Sequence, residues 1–272
     1  MSTAKHTLAT LAALTLTVVS THANERYFTY TYEPETMVRG GWEFEQWATL
    51  RAGRNSAVGQ DEFRQWEIRD SLEYGVTDNY TVELYLNEHF THFRNPATGL
   101  GTSDFTFDGV SLENRYQVWN AAEHAVGVTL YLEPRFSGTQ TEIEQKIILG
   151  QRHGDWKWAV NLTHATEWSD HFRSGEGELE MSLGVARDLN KHWAVGLELR
   201  DHNELPEYRN WQNTALYAGP AVSYRRGGWW ATLSVLPQIY GGNFTGDPDG
   251  NHHLELEGHE RLNVRLLFGF GF

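Results

Sequence analysis

The sequence predicts an all-β protein whose strands close into an antiparallel transmembrane β-barrel of about twelve strands. Three observations lead to this fold class. The last eleven residues alternate between apolar and mostly small or polar side chains, the same alternation recurs from Trp42 onward, and the connections between these stretches are short and long in turn. Successive side chains of a strand point to opposite faces, so a period of two gives a sheet one apolar and one polar face.

The C-terminal stretch carries the clearest alternation. Its apolar positions are Leu262, Val264, Leu266, Phe268, Phe270 and Phe272. A single strand of this kind also suits a soluble sheet, but its recurrence along the chain indicates an apolar surface that surrounds a whole barrel. The mean hydropathy of −0.54 fits this fold, because only alternate residues of a barrel strand face lipid. The chain contains no run of about 18 apolar residues, so no membrane-spanning helix is predicted.

Period-two matching and turn residues divide the rest of the chain into strands. The predicted strands are 42–51, 64–76, 80–91, 108–119, 125–136, 141–150, 156–167, 177–187, 192–201, 213–225, 229–239 and 253–272. Three polar residues, Asp70, Asn114 and Gln145, fall on the predicted lipid face, and Pro220 interrupts the tenth strand. These four positions predict bulges or shifts of register.

The connections alternate in length, as they do in membrane barrels with short periplasmic turns and longer extracellular loops. Short connections are predicted at 77–79, 120–124, 152–155, 188–191 and 226–228, and long ones near 52–63, 90–107, 137–141, 168–176, 202–212 and 240–252. An even number of strands places both chain ends on the side of the short turns. Closure follows from the solvent, because lipid offers no partner for the backbone groups of a sheet edge.

The N-terminus has the pattern of a secretory signal peptide. Lys5 precedes an apolar stretch over 8–19, and Thr21-His22-Ala23 gives a small-x-small cleavage site, so residues 1–23 are predicted to be removed. Residues 24–41, rich in tyrosine, form a predicted periplasmic N-terminal segment that either leads into the barrel or folds up into its lumen. The barrel then occupies residues 42–272. The absence of cysteine means that an exported chain of this kind depends on packing and hydrogen bonds.

With its leader, alternating strands and terminal Phe272, the chain resembles the Gram-negative outer-membrane β-barrel proteins, in particular porin-like families without an assigned function. The resemblance implies a location in the outer membrane, contact with its lipid and lipopolysaccharide, and export through the Sec pathway. It also implies that the barrel-assembly machinery reads Phe268, Phe270 and Phe272, and that the barrel is a monomer.

The predicted lumen face carries charges of both signs. Glu-x-Arg pairs recur at Glu67/Arg69, Glu113/Arg115, Glu133/Arg135 and Glu198/Arg200, a spacing that puts both charges on one face of a strand. The predicted lumen-lining residues are these eight together with Glu83, Glu144, Lys146 and Glu180. Two interpretations stand. The first is an ion-pair lattice between hairpin neighbours that fills the lumen, with Glu113 and Arg115 opposite or diagonal to Arg135 and Glu133. The second is a polar permeation path whose charges select ions.

Histidines and glutamates alternate just before the last strand. His253, Glu255, Glu257 and His259 share one face if that strand extends upward, and imidazole with carboxylate suits a transition metal such as zinc. A solvated acidic loop is the favoured interpretation, because no fixed metal motif is present. No cofactor is expected.

The leading functional hypothesis is a passive channel for small neutral or cationic solutes with an acidic lumen. The formal net charge of −14 disfavours nucleic-acid binding. The alternatives are a closed barrel that acts through its extracellular loops in binding or envelope integrity, and a lipid-modifying enzyme, which needs a Ser–His pair at the outer rim. No motif brings such a pair together, so no enzyme is predicted. Small inward residues such as Gly196, Ala215, Gly219, Ala221 and Ser223 leave room on one wall, whereas Trp47, Tyr85, Tyr131 and Tyr217 fill the lumen.

Overall fold

The computed structural model describes residues 24–169, 172, 174–245 and 253–272. They form a closed barrel in which each strand pairs antiparallel with its neighbours in the chain and β1 pairs with β12. The strands are β1 Trp42–Ala52, β2 Asp61–Thr77, β3 Tyr80–Arg94, β4 Gly101–Trp119, β5 Gly127–Phe136, β6 Thr141–His153, β7 Trp156–Ser169, β8 Ser174–Asp188, β9 Trp193–Pro206, β10 Asn213–Arg226, β11 Trp229–Asn243 and β12 Leu262–Gly271. The predicted fold class is confirmed. The predicted leader, 1–23, lies outside the described residues.

The faces of the strands are inverted relative to those of a soluble barrel. On β3, Leu84 and Leu86 point outward with 52% and 51% of their surface exposed, while Glu83 and Tyr85 point inward and are buried. Since burying polar groups and exposing leucine is unfavourable in water, this arrangement fits a lipid surround and a polar lumen. Among the described residues, no helix is long and apolar enough to cross a membrane.

Closure of the barrel depends on the terminal strand. Phe270 lies opposite Phe44 of β1 and Trp229 of β11, so β12 joins the first hairpin to the last. Phe268, Phe270 and Phe272 all point outward, and the Phe272 amide donates to the Trp42 carbonyl at 2.9 Å. Their recognition by an assembly machinery stays a prediction.

Strand ends at the long-loop side differ from those predicted. The predicted loop 90–107 is mostly ladder, because β3 runs to Arg94 and β4 begins at Gly101. Exposed cross-strand pairs such as Phe90 and Phe105, whose rings lie 4.9 Å apart, extend this hairpin. In contrast, the twelfth strand begins at Leu262 and not at 253, so the prediction of a strand over 253–261 is wrong.

Asp70, Asn114 and Gln145 do lie on the lipid face, but the ladders keep their register at all three, so the bulges predicted there are wrong. Asp70 accepts a hydrogen bond from the Gln46 side chain at 2.9 Å, and Asn114 accepts one from the Tyr80 hydroxyl at 2.8 Å. The described β10–β11 ladder shows no pairs from Ala218 to Pro220, but its register is the same at Tyr217 and Ala221, and its register shift lies between Leu216 and Tyr217.

Candidate functional site

The N-terminal segment lies inside the barrel. It begins and ends at the short-turn side, where the Asn24 amide donates to Glu43 at 3.0 Å and the Gly40 amide donates to the Gly75 carbonyl at 2.8 Å. Between these points residues 27–34 are buried, including Tyr30 and Tyr32 at 5% and 2% exposure. Of the two interpretations that the sequence allowed for this segment, the fold into the lumen matches this geometry.

Glu198 of β9 is the main anchor of the segment. Its carboxylate accepts hydrogen bonds from the backbone amides of residues 29, 30 and 31 at 3.2, 2.7 and 2.7 Å. The Thr29 and Ser234 hydroxyls add two more, at 3.1 and 2.7 Å. Five donors satisfy a carboxylate that is 1% exposed, which is how a buried negative charge is stabilised without a salt bridge.

Further anchors hold the returning half of the segment. Asn161 of β7 forms two hydrogen bonds with the backbone of Tyr32, at 2.6 and 2.9 Å. The Pro34 carbonyl accepts from Gln117 at 2.8 Å and from Thr129 at 2.6 Å. These bonds pair backbone groups that no strand ladder serves, so the segment is fixed at several points along its length.

Small residues of the wall make room for the segment. Tyr27 and Phe28 pack in one cluster with four alanines, Ala159, Ala186, Ala194 and Ala221. A Cβ atom at Gly184 would stand 2.6 Å from the Phe28 ring, so only glycine fits there. The N-terminal segment therefore occupies the space that small inward residues were predicted to leave. Opposite, Tyr32 joins Trp47, Tyr85 and Tyr131 in an aromatic layer across the lumen.

An acidic chamber lies beside the segment at the short-turn side. It consists of five glutamates that are each at most 2% exposed, namely Glu43, Glu45, Glu73, Glu83 and Glu113. Arg115 pairs with three of them: it contacts Glu73 directly, its Nε atom lies 2.6 Å from Glu113, and Glu83 is 3.7 Å away. Among the described residues, the carboxylates close enough to share a cation are those of Glu43, Glu45 and Glu73, with oxygens within 4.8 Å.

Above the segment, the lumen contains a cavity of about 310 Å³, here called the vestibule. Tyr30 and Tyr32 line it from the segment, and charged side chains of both signs line it from the strands. The side chains at its upper wall are partly exposed, 33% for Arg135 and 45% for Glu178, whereas those of the acidic chamber are not. The vestibule therefore opens at the long-loop side.

The predicted lumen-lining residues divide between these regions. Glu83, Glu113 and Arg115 belong to the acidic chamber, and Glu198 anchors the segment. The other eight line the vestibule: Glu67, Arg69, Glu133, Arg135, Glu144, Lys146, Glu180 and Arg200.

The predicted pairing of Glu113 and Arg115 with Arg135 and Glu133 is not found among the described residues. Arg69 reaches from β2 to Glu133 of β5 at 2.5 Å, and Arg135 pairs with Glu142 of β6. Sequence reasoning placed charges on the correct face but missed this partner choice.

Several vestibule residues were not predicted as site residues, among them Arg51, His202 and Arg265. Arg51 pairs with Glu67 at 2.8 Å, and His202 lies 3.1 Å from Glu178. For Arg51 and Arg265, the sequence signal was their position on the inward face of β1 and β12 in the alternating pattern. His202 stands at the upper end of β9, beyond the predicted strand.

Residues 253–261, the described stretch before β12, fold over part of the long-loop end. The Tyr217 hydroxyl donates to the Glu260 carbonyl at 3.0 Å, and the Gln238 side chain bonds both backbone groups of Glu255. Leu256 and His259 of this stretch are buried, at 1% and 3% exposure. Burial, together with nearby His202 and Arg200, lowers the pKa of His259 to about 2, so its imidazole is neutral.

The four candidate metal ligands do not converge. His253 is exposed, and the Glu255 carboxylate accepts the backbone amides of residues 257, 258 and 259. Burial raises the pKa of Glu255, while those amides lower it. Glu257 accepts from Asn243 at 3.2 Å, and His259 bonds Asn213 at 2.9 Å. These contacts give Glu255, Glu257 and His259 separate structural partners.

Comparison with solved structures identifies similar barrels. A COG4313 outer membrane channel from Pseudomonas putida F1 is 13% identical, with a TM-score of 0.59 over 90% of this chain and 100% of that chain. A NanC porin is 11% identical, with a TM-score of 0.52 over 84% of this chain and 98% of that chain. At these identities the likeness concerns the fold, which is that of outer-membrane barrels.

Comparison with curated proteins gives no match. A family model, described as a family of unknown function, matches residues 20–272, which include the segment and the whole barrel. The chain therefore belongs to the family of unknown function DUF6662.

Proposed function

We propose that the protein is a passive outer-membrane channel for small neutral or cationic solutes, and that its N-terminal segment is the gate. The observation that carries the proposal is the vestibule. Its volume of about 310 Å³ falls at the lower end of the range for small-molecule sites, and it opens at the long-loop side. In an outer-membrane barrel that side is extracellular, so a solute would enter the vestibule from outside the cell.

The charge of the vestibule favours cations over anions. Nine carboxylates line it against six lysine and arginine side chains. Most of these charges are paired, so the excess of carboxylates sets the sign of the local potential. A wall of net negative charge concentrates cations and repels anions, while neutral solutes are limited by size.

The segment supplies the gate in this proposal. It lies between the vestibule and the short-turn side and is held by hydrogen bonds, ion pairs and packing, with no disulfide. A non-covalent plug can leave without unfolding the ladder that closes the barrel. The two similar structures, a channel and a porin, support a transport role for this fold. Assembly through the terminal phenylalanines, contact with lipopolysaccharide and a monomeric state belong to the same proposal.

A permanently closed barrel is the second candidate function. The buried segment and the inward fold of residues 253–261 both favour it, because each fills lumen that a channel would use. In that case the exposed loops would bind a partner or support the envelope. Ion conduction separates the two candidates.

An outer-membrane lipid-modifying enzyme ranks third. One Ser–His contact exists at the required place, where His92 Nδ1 lies 2.9 Å from the Ser103 hydroxyl on the extended β3–β4 hairpin. Within the described part of the chain, no Asn, Asp or Glu orients the other nitrogen of His92, as a nucleophile–base pair requires. The contact therefore favours a structural hydrogen bond.

The channel proposal predicts cation-preferring conduction. In a planar bilayer with a salt gradient, the mature protein is expected to show discrete steps and a reversal potential of the cation-selective sign. Replacing Glu142 and Glu178 by Gln should move the reversal potential toward zero, because two carboxylates of the upper wall are lost.

The matched control is Glu62→Gln, which removes a carboxylate at the same end but outside the vestibule. Anion preference, or an equal shift in the control, would contradict the acidic-wall account. Silence of the folded protein would favour the closed barrel.

A further inference from the structure

Arg265 differs from the other basic residues of the vestibule. Arg51, Arg69, Arg135, Lys146 and Arg200 each form a salt bridge with a carboxylate. Arg265 forms none with any carboxylate in the described parts of the chain. A guanidinium is always charged in proteins, so this site holds a cation whose natural partner is missing.

The contacts of Arg265 hold its guanidinium in one orientation. Its Nε donates to the Thr49 hydroxyl at 2.8 Å, and Nη1 lies 3.5 Å from the Thr29 carbonyl. The guanidinium carbon stands 3.7 Å from the centre of the Tyr30 ring. Within the described residues Nη2 has no hydrogen-bond acceptor, and the side chain lines the vestibule. A guanidinium edge fixed in this way has the geometry that binds a carboxylate with two parallel hydrogen bonds.

The opposite wall carries an excess of carboxylates, although Glu142 pairs with Arg135 and Glu144 with Lys146. In the closed order of twelve strands, β12 and β6 are six strands apart and face each other across the lumen. Glu142 and Glu144 of β6 line the vestibule together with Glu178 of β8, two strands along the same wall. Of these, Glu178 is the most exposed, at 45% of its side chain, and its salt-bridge partner is a histidine. This wall suits an ammonium group.

We infer that the vestibule is a binding site for a small zwitterion, which places a carboxylate on Arg265 and an ammonium group toward the carboxylates of β6 and β8. The inference rests on the proposed function for how the solute enters. It specifies one class, zwitterions, among the neutral solutes proposed above. A zwitterion has no net charge, so the acidic excess does not repel it. It satisfies both walls at once, which neither a simple cation nor a simple anion can do.

Three probes of matched length test the inference by calorimetric titration of the folded protein in detergent: 6-aminohexanoate, hexylamine and hexanoate. The zwitterion is expected to bind about tenfold more tightly than either single-charge probe, from the charge-assisted hydrogen bonds that each end adds. Arg265→Gln should reduce its affinity to that of hexylamine and leave hexylamine unaffected. Arg265→Lys keeps the charge but loses the two-pronged geometry, so an intermediate affinity is expected.

The matched control is Arg64→Gln, which removes an exposed arginine outside the vestibule and should change none of the three affinities. Glu144→Gln gives a second route if Arg265→Gln does not fold, and should weaken both amine probes but not hexanoate. Equal binding of all three probes, or undiminished zwitterion binding by the Arg265 variants, would overturn the inference. Titration needs no conduction, so the two proposals can fail separately. Zwitterion binding by a silent barrel would refute the channel and uphold the site. Conduction without preferential zwitterion binding would uphold the channel and refute the site.

Discussion

Replacing Arg115 by Met is expected to destabilise the folded barrel by about 3–5 kcal/mol, because it leaves buried carboxylates without their cation. Arg115 contacts Glu73, Glu83 and Glu113 in a chamber that holds five buried glutamates. Methionine has a similar length and fills the space, so the loss is one of charge and hydrogen bonding. The expected result is a lower midpoint of urea-induced unfolding in detergent micelles.

A matched variant and a double variant test the reason for that loss. Arg187→Met removes an exposed arginine and should leave the midpoint almost unchanged. Adding Glu73→Gln to Arg115→Met removes one of the stranded carboxylates and should recover part of the stability, as coupled residues do in a double-mutant cycle. If Arg115→Met is as stable as the wild type, the chamber does not depend on this cation.

The terminal strand was predictable because its side chains alternate without interruption and end in three outward phenylalanines. The stretch over 253–261 was predicted to continue this strand, with Leu254 and Leu256 at alternate positions, yet it forms no strand. There the Glu255 carboxylate accepts three backbone amides and closes a turn, an alternative that period-two matching cannot recognise. The alternation of side chains therefore predicts well which face of a strand a residue lies on. It predicts poorly where the strands end at the long-loop side.

The sequence was enough to predict which residues line the site, but not which of them form ion pairs with one another. Parity assigns Arg69 and Glu133 to the lumen, but only barrel curvature brings β2 within reach of β5. The buried segment was harder still, because its tyrosines fit a lead-in as well as a lumen fold. Small wall residues such as Gly184 and Ala186 leave the space for the segment, and this space is evident only when all twelve strands are assembled into the barrel.

Replacing Glu198 by Ala is expected to release the N-terminal segment and raise the time that the channel spends open. The carboxylate accepts three backbone amides of the segment, and each buried donor left unpaired costs about 1–3 kcal/mol. A total loss of about 3 kcal/mol shifts an equilibrium between docked and released segment by roughly a hundredfold. Single-channel recording measures the open probability directly.

Glu180→Ala is the control for that change. It also removes a lumen carboxylate, but one that pairs with Arg200 and makes no hydrogen bond with the segment. A similar rise in both variants would mean that loss of charge, and not release of the segment, governs opening.

The central claim is that the segment gates the barrel, and a reversible lock tests it most directly. The Thr29 and Ser234 hydroxyls bond the same oxygen of Glu198, at 3.1 and 2.7 Å, which places the two side chains on either side of one carboxylate. Cysteines at these two positions are therefore the pair to introduce in a chain with no other cysteine, with formation of the disulfide checked by mass before recording. Single-channel recording of Thr29→Cys/Ser234→Cys is expected to show no openings when the protein is oxidised and wild-type openings after reduction. Equal conduction in both redox states, or silence in both, would contradict the account.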